Sequence, residues 1–135
     1  MTLRLGEPSL LEVLSLSVGY PTPEKLAALA SRYSRESSWS AYALYDGEVA
    51  VGIVGLELTS PGHGRIRHIA VIPEARGAGV GRSLIERIRE RMSLRELYAE
   101  TDGDAAPFYQ HCGFTVRSLG ELHPGVERFR CRWRA

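Results

Sequence analysis

The spacing of apolar and polar residues divides the chain into strands and helices. An alternating segment at residues 2–5 predicts a first strand, and runs at residues 10–16 and 23–33 have the spacing of amphipathic helices. Thr22 suits the N-cap of the second helix because a proline then takes the first helical position. The chain is therefore expected to begin with one strand and two helices.

The centre of the chain predicts three successive strands. The strands are expected at residues 39–45, 48–58 and 65–72, and a first turn is expected at residues 46–47. Residues 46–47 are an Asp-Gly pair, which is a strong signal for a tight hairpin. Gly52 and Gly55 lie inside the second strand and indicate a bulge or a close packing partner there. The sequence therefore predicts an antiparallel meander.

The remainder of the chain alternates between helices and strands. Helices are predicted at residues 80–92 and 104–112, and strands at residues 114–119 and 126–133. A short strand, LYAE, is predicted within residues 94–101. A right-handed crossover would make the strands before and after the first of these helices parallel. The order β-α-α-β-β-β-α-β-α-β-β predicts a single domain over residues 1–135, of the α/β class, with a mixed sheet and helices on both faces.

Composition limits the kind of partner. The chain has 135 residues, 44% of them hydrophobic, and a net charge of +1, which gives no electrostatic reason to bind nucleic acid or an anionic membrane. It has no apolar run near the roughly 20 residues of a membrane span and no signal-peptide pattern, so a cytoplasmic location is expected. Cys112 and Cys131 are too few for a disulfide framework. Reduced thiols are favoured, and a bridge between them stays open.

Three alternate glycines, Gly77, Gly79 and Gly81, lie between a predicted strand and a predicted helix. Glycine allows positive φ angles and close approach to a ligand, and a helix N-terminus attracts anions, so a phosphate site is expected here. A dinucleotide fingerprint fits badly because the glycine interval is wrong, and a nucleotide-binding P-loop fits badly because Arg82 stands in place of its lysine.

Two motifs identify a family that the chain resembles. The first is Arg76-x-x-Gly79-x-Gly81 after the run Ile69-Ala70-Val71-Ile72-Pro73, and the second is Ala105-x-x-Phe108-Tyr109-x-x-x-Gly113-Phe114. Together they resemble the GCN5-related N-acetyltransferase (GNAT) superfamily. The resemblance implies a GNAT-like fold with splayed central parallel strands. It also implies acetyl-CoA as cosubstrate, no metal, and transfer of an acetyl group to a primary amine of a small molecule or peptide.

The resemblance also implies which residues hold acetyl-CoA. Main-chain groups of Ile69, Ala70 and Val71 would pair with the pantetheine arm. The pyrophosphate would lie on the loop residues Arg76, Gly77, Ala78, Gly79, Val80, Gly81 and Arg82. Besides acetyl-CoA and the amine acceptor, a homodimer stays open as a partner.

The sequence gives one candidate for the residue that stabilises the thiolate and two candidates for the general base. By resemblance, Tyr109 would stabilise the departing thiolate. Two residues are candidates for the general base: Glu100 at the end of a predicted strand, and His68, whose ordinary pKa of about 6.5 suits the task. Asp102 stands where many family members have asparagine, which leaves its role open.

The acceptor side is expected along the first two helices and the following loop, with Tyr20, Tyr33 and Trp39 at its mouth. Two other functions remain as hypotheses. The first is an acyl-CoA-binding sensor or interaction module on the same fold that lacks efficient chemistry. The second is a regulator that binds ATP or NAD.

Overall fold

A mixed sheet of seven strands is the centre of the computed structural model, which describes residues 1–6, 10–15 and 22–135. The strands are β1 (Thr2–Leu5), β2 (Trp39–Asp46), β3 (Val49–Ser60), β4 (His63–Val71), β5 (Glu96–Asp102), β6 (Thr115–His123) and β7 (Val126–Arg134). Across the sheet they run β1-β2-β3-β4-β5-β7-β6. The helices are α1 (Leu11–Leu14), α2 (Pro23–Arg35), α3 (Val80–Arg91) and α4 (Ala106–His111). This element order confirms the predicted fold class.

Several element boundaries differ from the prediction because the turns are tighter than expected. The second hairpin turns at Gly62, whose φ is 79°, so β4 begins at His63. The last hairpin turns at Gly125, also with φ 79°, and β6 therefore continues to His123. The predicted N-cap is confirmed, since the side chain of Thr22 accepts a hydrogen bond from the backbone N–H of Lys25 at 3.1 Å.

The order of the strands brings the predicted meander and the predicted parallel pair together. Strands β2, β3 and β4 pair antiparallel, and β4 pairs parallel with β5. The parallel pairing covers only three positions, His63–Arg65 against Glu96–Tyr98. Past these positions the described strands no longer pair, so a cleft opens between β4 and β5.

A bulge in β4 accounts for this cleft. Gly55 of β3 pairs with His68, whereas the next residue, Leu56, pairs with Ile66. Arg67 is therefore the extra residue on β4, and an extra residue bends the strand that carries it. The bend lies two residues beyond Arg65, where the pairing with β5 stops. The bulge that the sequence predicts near Gly55 is present, and it lies on the strand opposite that glycine.

Helices cover both faces of the sheet, as predicted. Leu84, Ile85 and Ile88 of α3 are fully buried in one apolar cluster together with Leu44 and Val54. On the opposite face, buried residues in and beside α1 pack against buried residues of the sheet. This second cluster consists of Leu10, Val13, Leu14, Ala43, Ile53 and Ala70. Neighbouring strand residues face opposite ways, so one strand supplies both clusters.

The packing of α3 leaves no room for a side chain at Gly52. A Cβ atom there would lie 2.9 Å from both Leu84 Cδ1 and Val80 Cγ1. This is the close packing partner that the sequence indicates for Gly52. It fixes α3 tightly over β3 and, with α3, the loop that precedes it.

Leu84→Ala should lower the free energy of unfolding by about 2 to 5 kcal/mol, because it leaves a cavity at a fully buried position in the larger cluster. Urea denaturation followed by circular dichroism measures the change. Leu122→Ala is the matched control, since that side chain is 64% exposed, and it should change stability little. Equal losses in the two variants would contradict the packing described for α3.

Candidate active site

The glycine loop connects the end of β4 to α3. A 3-10 turn at Pro73–Ala75 leads into it, and Gly79 is the N-cap of α3. Gly77 and Gly79 have φ angles of 81° and 77°, in the left-handed region that favours glycine. Among the described residues, no atom other than those of the glycine and its chain neighbours lies within 4 Å of the position of a Cβ on either residue. The loop therefore presents open backbone beside the unpaired N–H groups of the first turn of α3.

Gly81 has a different reason to be glycine. It lies in the first turn of α3, and a Cβ on it would lie 2.9 Å from Phe108 Cε1 and 3.0 Å from Phe108 Cζ. The positive φ angle that the sequence suggests for these glycines is therefore not what Gly81 provides, because this residue is helical. Gly81 allows the aromatic ring of the second motif to pack directly on the first.

The two arginines of the loop already have protein partners. Arg76 Nε donates to the backbone oxygen of Val71 at 3.3 Å, which ties the loop to the end of β4. Arg82 Nε donates to Glu86 Oε1 at 3.0 Å, and this pair is exposed on α3. Both side chains keep further N–H groups that could meet a phosphate.

A groove of about 640 Å³ lies along the loop and the end of β4. Nine of the ten residues predicted to bind acetyl-CoA line it: Ile69, Ala70, Val71, Arg76, Gly77, Gly79, Val80, Gly81 and Arg82. The tenth, Ala78, is exposed and does not line the groove. The structure adds Phe108, His111 and Cys112 to its wall. His111 and Cys112 follow Phe108 by three and four residues, so all three lie on one face of a helix. This spacing is the sequence signal that would have indicated them.

A second cleft, of about 440 Å³, lies between β4 and β5. It is lined in part by His68, Glu100 and Tyr109, so the structure brings the predicted catalytic candidates together. The cleft shares Ile69 and Phe108 with the groove. The two therefore adjoin, and a long ligand lying on the glycine loop could extend into the cleft.

Tyr109 is held by aromatic packing. Its side chain is 4% exposed, and its ring makes edge-to-face contacts with Phe108 and Phe114 at centroid distances of 5.2 and 5.3 Å. Burial raises its pKa above the ordinary value for tyrosine, so the phenol keeps its proton at neutral pH. Within the described part of the chain no group hydrogen-bonds its hydroxyl, and the residue lines the cleft.

The two candidate bases have different surroundings. Arg130 donates to Glu100 at 2.8 Å and Arg65 lies 3.6 Å from it. The hydrogen bond from Arg130 is the main cause that lowers the pKa of Glu100, so this carboxylate is a weak base. The pKa of His68 is also lowered, but here the first cause is burial and the second is the charge of Arg67. Its imidazole is therefore neutral at pH 7.

Asp102 has a structural partner in the turn that leads to α4. Its Oδ1 accepts hydrogen bonds from the backbone N–H groups of Asp104 and Ala105 at 3.0 and 3.1 Å. Asparagine carries the same Oδ1 acceptor, so the two residue types could serve this turn equally.

The three aromatic residues predicted at the acceptor side do not share one location. Tyr33 contacts His68 directly, and Trp39 packs edge-to-face against Tyr33 at 5.3 Å. Trp39 is buried in this contact and does not line the cleft between β4 and β5. Tyr20 lies outside the described residues.

Comparison with known proteins identifies the family. The family described as the acetyltransferase (GNAT) domain matches residues 37–116, which run from just before β2 to the start of β6 and include the glycine loop and α4. The chain belongs to the GNAT acetyltransferase family. It is accordingly an N-acetyltransferase, and the family uses acetyl-CoA.

Solved structures show the same fold. A protein assigned to the GNAT family from Desulfovibrio desulfuricans is 21% identical, with 98% of each chain covered and a TM-score of 0.79. An acetyltransferase from Thermus thermophilus is 23% identical over 100% of this chain and 98% of the other, with a TM-score of 0.78. A mutant of spermidine N-acetyltransferase from Vibrio cholerae is 20% identical, with coverages of 99% and 95% and a TM-score of 0.77.

No curated protein matches the sequence. In the part of the chain that the structure describes, no helix has the length and apolar character that crossing a membrane requires.

Proposed function

We propose that this GNAT acetyltransferase acetylates a primary amine of a small molecule or peptide, with His68 as general base and Tyr109 as the hydrogen-bond donor to the leaving thiolate. The observation that carries the proposal is the continuity of the loop groove with the cleft, which share Ile69 and Phe108. This continuity joins an anion-binding loop to a pair of groups suited to acyl transfer.

The residues of the groove fit acetyl-CoA. The backbone of Gly77 and Gly79 is open, and the first turn of α3 supplies N–H groups for a pyrophosphate. Residues Ile69–Val71 pair with β3 on one side only, so their groups on the side facing β5 are free to pair with an extended ligand, apart from the Val71 oxygen that Arg76 uses. A backbone N–H here would also donate to the thioester oxygen.

His68 prepares the nucleophile in this proposal. An amine attacks a thioester carbon only as the neutral base, and amines of the lysine type have pKa values near 10. The neutral imidazole of His68 accepts the proton that the amine loses, directly or through water. Glu100 is less suited because two arginines lie beside its carboxylate.

Tyr109 acts on the leaving group of the reaction, the thiolate of CoA. As the new C–N bond forms and the C–S bond breaks, negative charge develops on sulfur. The phenol O–H donates a hydrogen bond to that charge. Full transfer of its proton would be unfavourable, because burial raises the pKa of Tyr109 while a thiol's pKa is about 8.5. The proton on the thiol product can then come from water.

A panel of amines tests the function. The purified protein is incubated with acetyl-CoA and with diamines, polyamines, amino acids or peptides with free amino groups; polyamines are included because spermidine N-acetyltransferase shares the fold. We expect thiol release that depends on the amine, with an acetylated product in mass spectrometry. Tight CoA binding without release on any amine would favour the sensor hypothesis. A thermal shift with ATP or NAD but not with CoA would favour the nucleotide-binding regulator.

Tyr109→Phe should lower kcat on the order of 10²-fold and leave the KM for acetyl-CoA nearly unchanged, because the ring keeps its packing and loses only the donor. Steady-state kinetics on the best amine of the panel measure both constants. Tyr45→Phe removes a tyrosine hydroxyl of β2, away from the cleft, and should leave both unchanged. A proportional loss of affinity and turnover would mean that Tyr109 serves only packing.

Gly79→Glu should abolish CoA binding, since it introduces a carboxylate and a strained φ where the pyrophosphate is expected. Isothermal titration calorimetry gives the affinity. Gly125→Glu is matched in geometry, with φ 79° and open space around the added side chain, but lies in the hairpin between β6 and β7. Retained affinity in the Gly79 variant would remove the loop from the proposed site.

The cytoplasmic location and the homodimer that the sequence leaves open remain predictions.

A further inference from the structure

The side chain of Tyr33 connects α2 to the proposed base. Its hydroxyl lies 2.5 Å from Nδ1 of His68, and the two rings meet edge to face at a centroid distance of 5.8 Å. His68 pairs across the sheet with Gly55 of β3. Tyr33 therefore reaches His68 by lying over a strand position that has no side chain.

Gly55 makes this contact possible. A Cβ at that position would lie 1.8 Å from the hydroxyl oxygen of Tyr33 and 2.5 Å from its Cζ. These separations are far below any van der Waals contact, and the neighbouring atoms belong to a ring that also packs against Trp39. Any residue other than glycine at position 55 would displace Tyr33 from His68.

The ring of Tyr33 packs against a tryptophan that itself carries two stacked arginines. Trp39 contacts it edge to face at 5.3 Å. The guanidinium carbons of Arg32 and Arg67 lie 4.2 and 4.8 Å from the centre of the Trp39 ring. Arg67 Nε also donates to Glu57 Oε1 at 2.9 Å, so this arginine has little freedom to move.

The charged groups around His68 come from several elements. Arg32 of α2 and Arg67 of β4 lie beside Tyr33, and Glu57 of β3 neutralises Arg67. The cleft itself brings the side chains of three further charged residues, which are Glu100, Asp102 and Arg128. Burial raises the pKa of Tyr33 and lowers that of His68, so both are neutral at pH 7. The bond between them therefore joins two neutral groups.

A neutral imidazole can make this bond in two ways. If the phenol O–H donates to Nδ1, then Nε2 carries the ring proton and cannot act as a base. If Nδ1–H donates to the phenol oxygen, then Nε2 has a free lone pair. The second arrangement also survives protonation of Nε2, because the imidazolium still donates through Nδ1.

We propose that Tyr33 is a positioning residue for His68: its hydroxyl oxygen accepts Nδ1–H, fixes the ring orientation and leaves Nε2 as the atom that takes the amine proton. This inference rests on the proposed role of His68 in acetyl transfer. It gives α2, the helix on the expected acceptor side, a direct connection to the base. Gly55 is part of the same device because it holds the space that Tyr33 occupies.

Tyr33→Phe tests the inference, since it keeps the ring on Trp39 and removes only the oxygen. The protonated His68 then loses its acceptor in a more apolar site, so its pKa should fall by up to about one unit. The acidic limb of the kcat/KM profile should move to lower pH by the same amount. In addition, kcat should fall about 10-fold while the KM for acetyl-CoA is unchanged. Nitrogen-15 NMR of the imidazole measures the tautomer and the pKa without reference to activity.

The control is Tyr42→Phe, which removes a partly buried hydroxyl that donates to the sulfur of Met92 at 3.6 Å, on another part of the sheet. It should leave the His68 pKa and the pH profile unchanged. Gly55→Ala is a second route to the same loss, because its Cβ displaces Tyr33. In that background Tyr33→Phe should have little further effect on kcat.

The outcomes separate this inference from the proposed function. In an active wild-type enzyme, a proton on Nε2 rather than Nδ1, or an unchanged His68 titration in Tyr33→Phe, would overturn the positioning role of Tyr33. If His68→Gln retained full activity, His68 would not be the base, and the proposed mechanism would be wrong even if NMR showed the Nδ1 bond. An Nδ1–H tautomer with a lowered pKa in Tyr33→Phe would support the inference.

Discussion

The separation of β4 from β5 is the constraint on which the site depends. Parallel strands normally continue to pair through their backbone groups, and unpaired groups in a sheet interior are unfavourable. Here the pairing stops after Arg65 and Tyr98 because the extra residue at Arg67 bends β4. The free edge of residues Ile69–Val71 is thereby available to a ligand, and the cleft that holds His68 and Tyr109 opens beside it.

A second constraint fixes the loop relative to that cleft. Phe108 packs on Gly81 at the start of α3, and the same ring lines both the loop groove and the cleft. Helix α3 is in turn fixed over β3 by the close contact between Leu84 and Gly52. The two motifs that identify the family are thus one packing unit in which small residues allow backbone and ring to approach closely.

The sequence predicted the fold well because its signals are local. Apolar periodicity, the Asp-Gly hairpin signal and the N-cap at Thr22 are each read within a few residues. The structure confirms the N-cap and the hairpin, but the turn lies one residue later than predicted, at residues 47–48 between Asp46 and Val49. The insertion of β7 between β5 and β6 was not predicted, since pairing order depends on contacts between distant segments. The bulge position also escaped prediction: Gly55 signals it, but the extra residue lies on the partner strand, at Arg67.

The groups that surround the two candidate bases also could not be predicted from the sequence. Strand alternation alone does not reveal that Glu100 of β5 meets Arg130 of β7, which comes 30 residues later in the chain. Nor does it place Tyr33, 35 residues before His68, against that histidine. Both contacts depend on which strands become neighbours and on where a glycine leaves space. Local periodicity carries neither kind of information.

These environments and the bulge are connected. With Arg67 as an extra residue, both Arg67 and His68 contact the aromatic pair of Tyr33 and Trp39, instead of alternating between opposite faces. Ile66 and Ile69 on either side still join the core that faces α3. A single inserted residue therefore bends β4 away from β5 and also brings an imidazole under the helix that carries Tyr33. Because the same residue does both, a variant that restored regular pairing of β4 would close the cleft and turn His68 away from Tyr33 together.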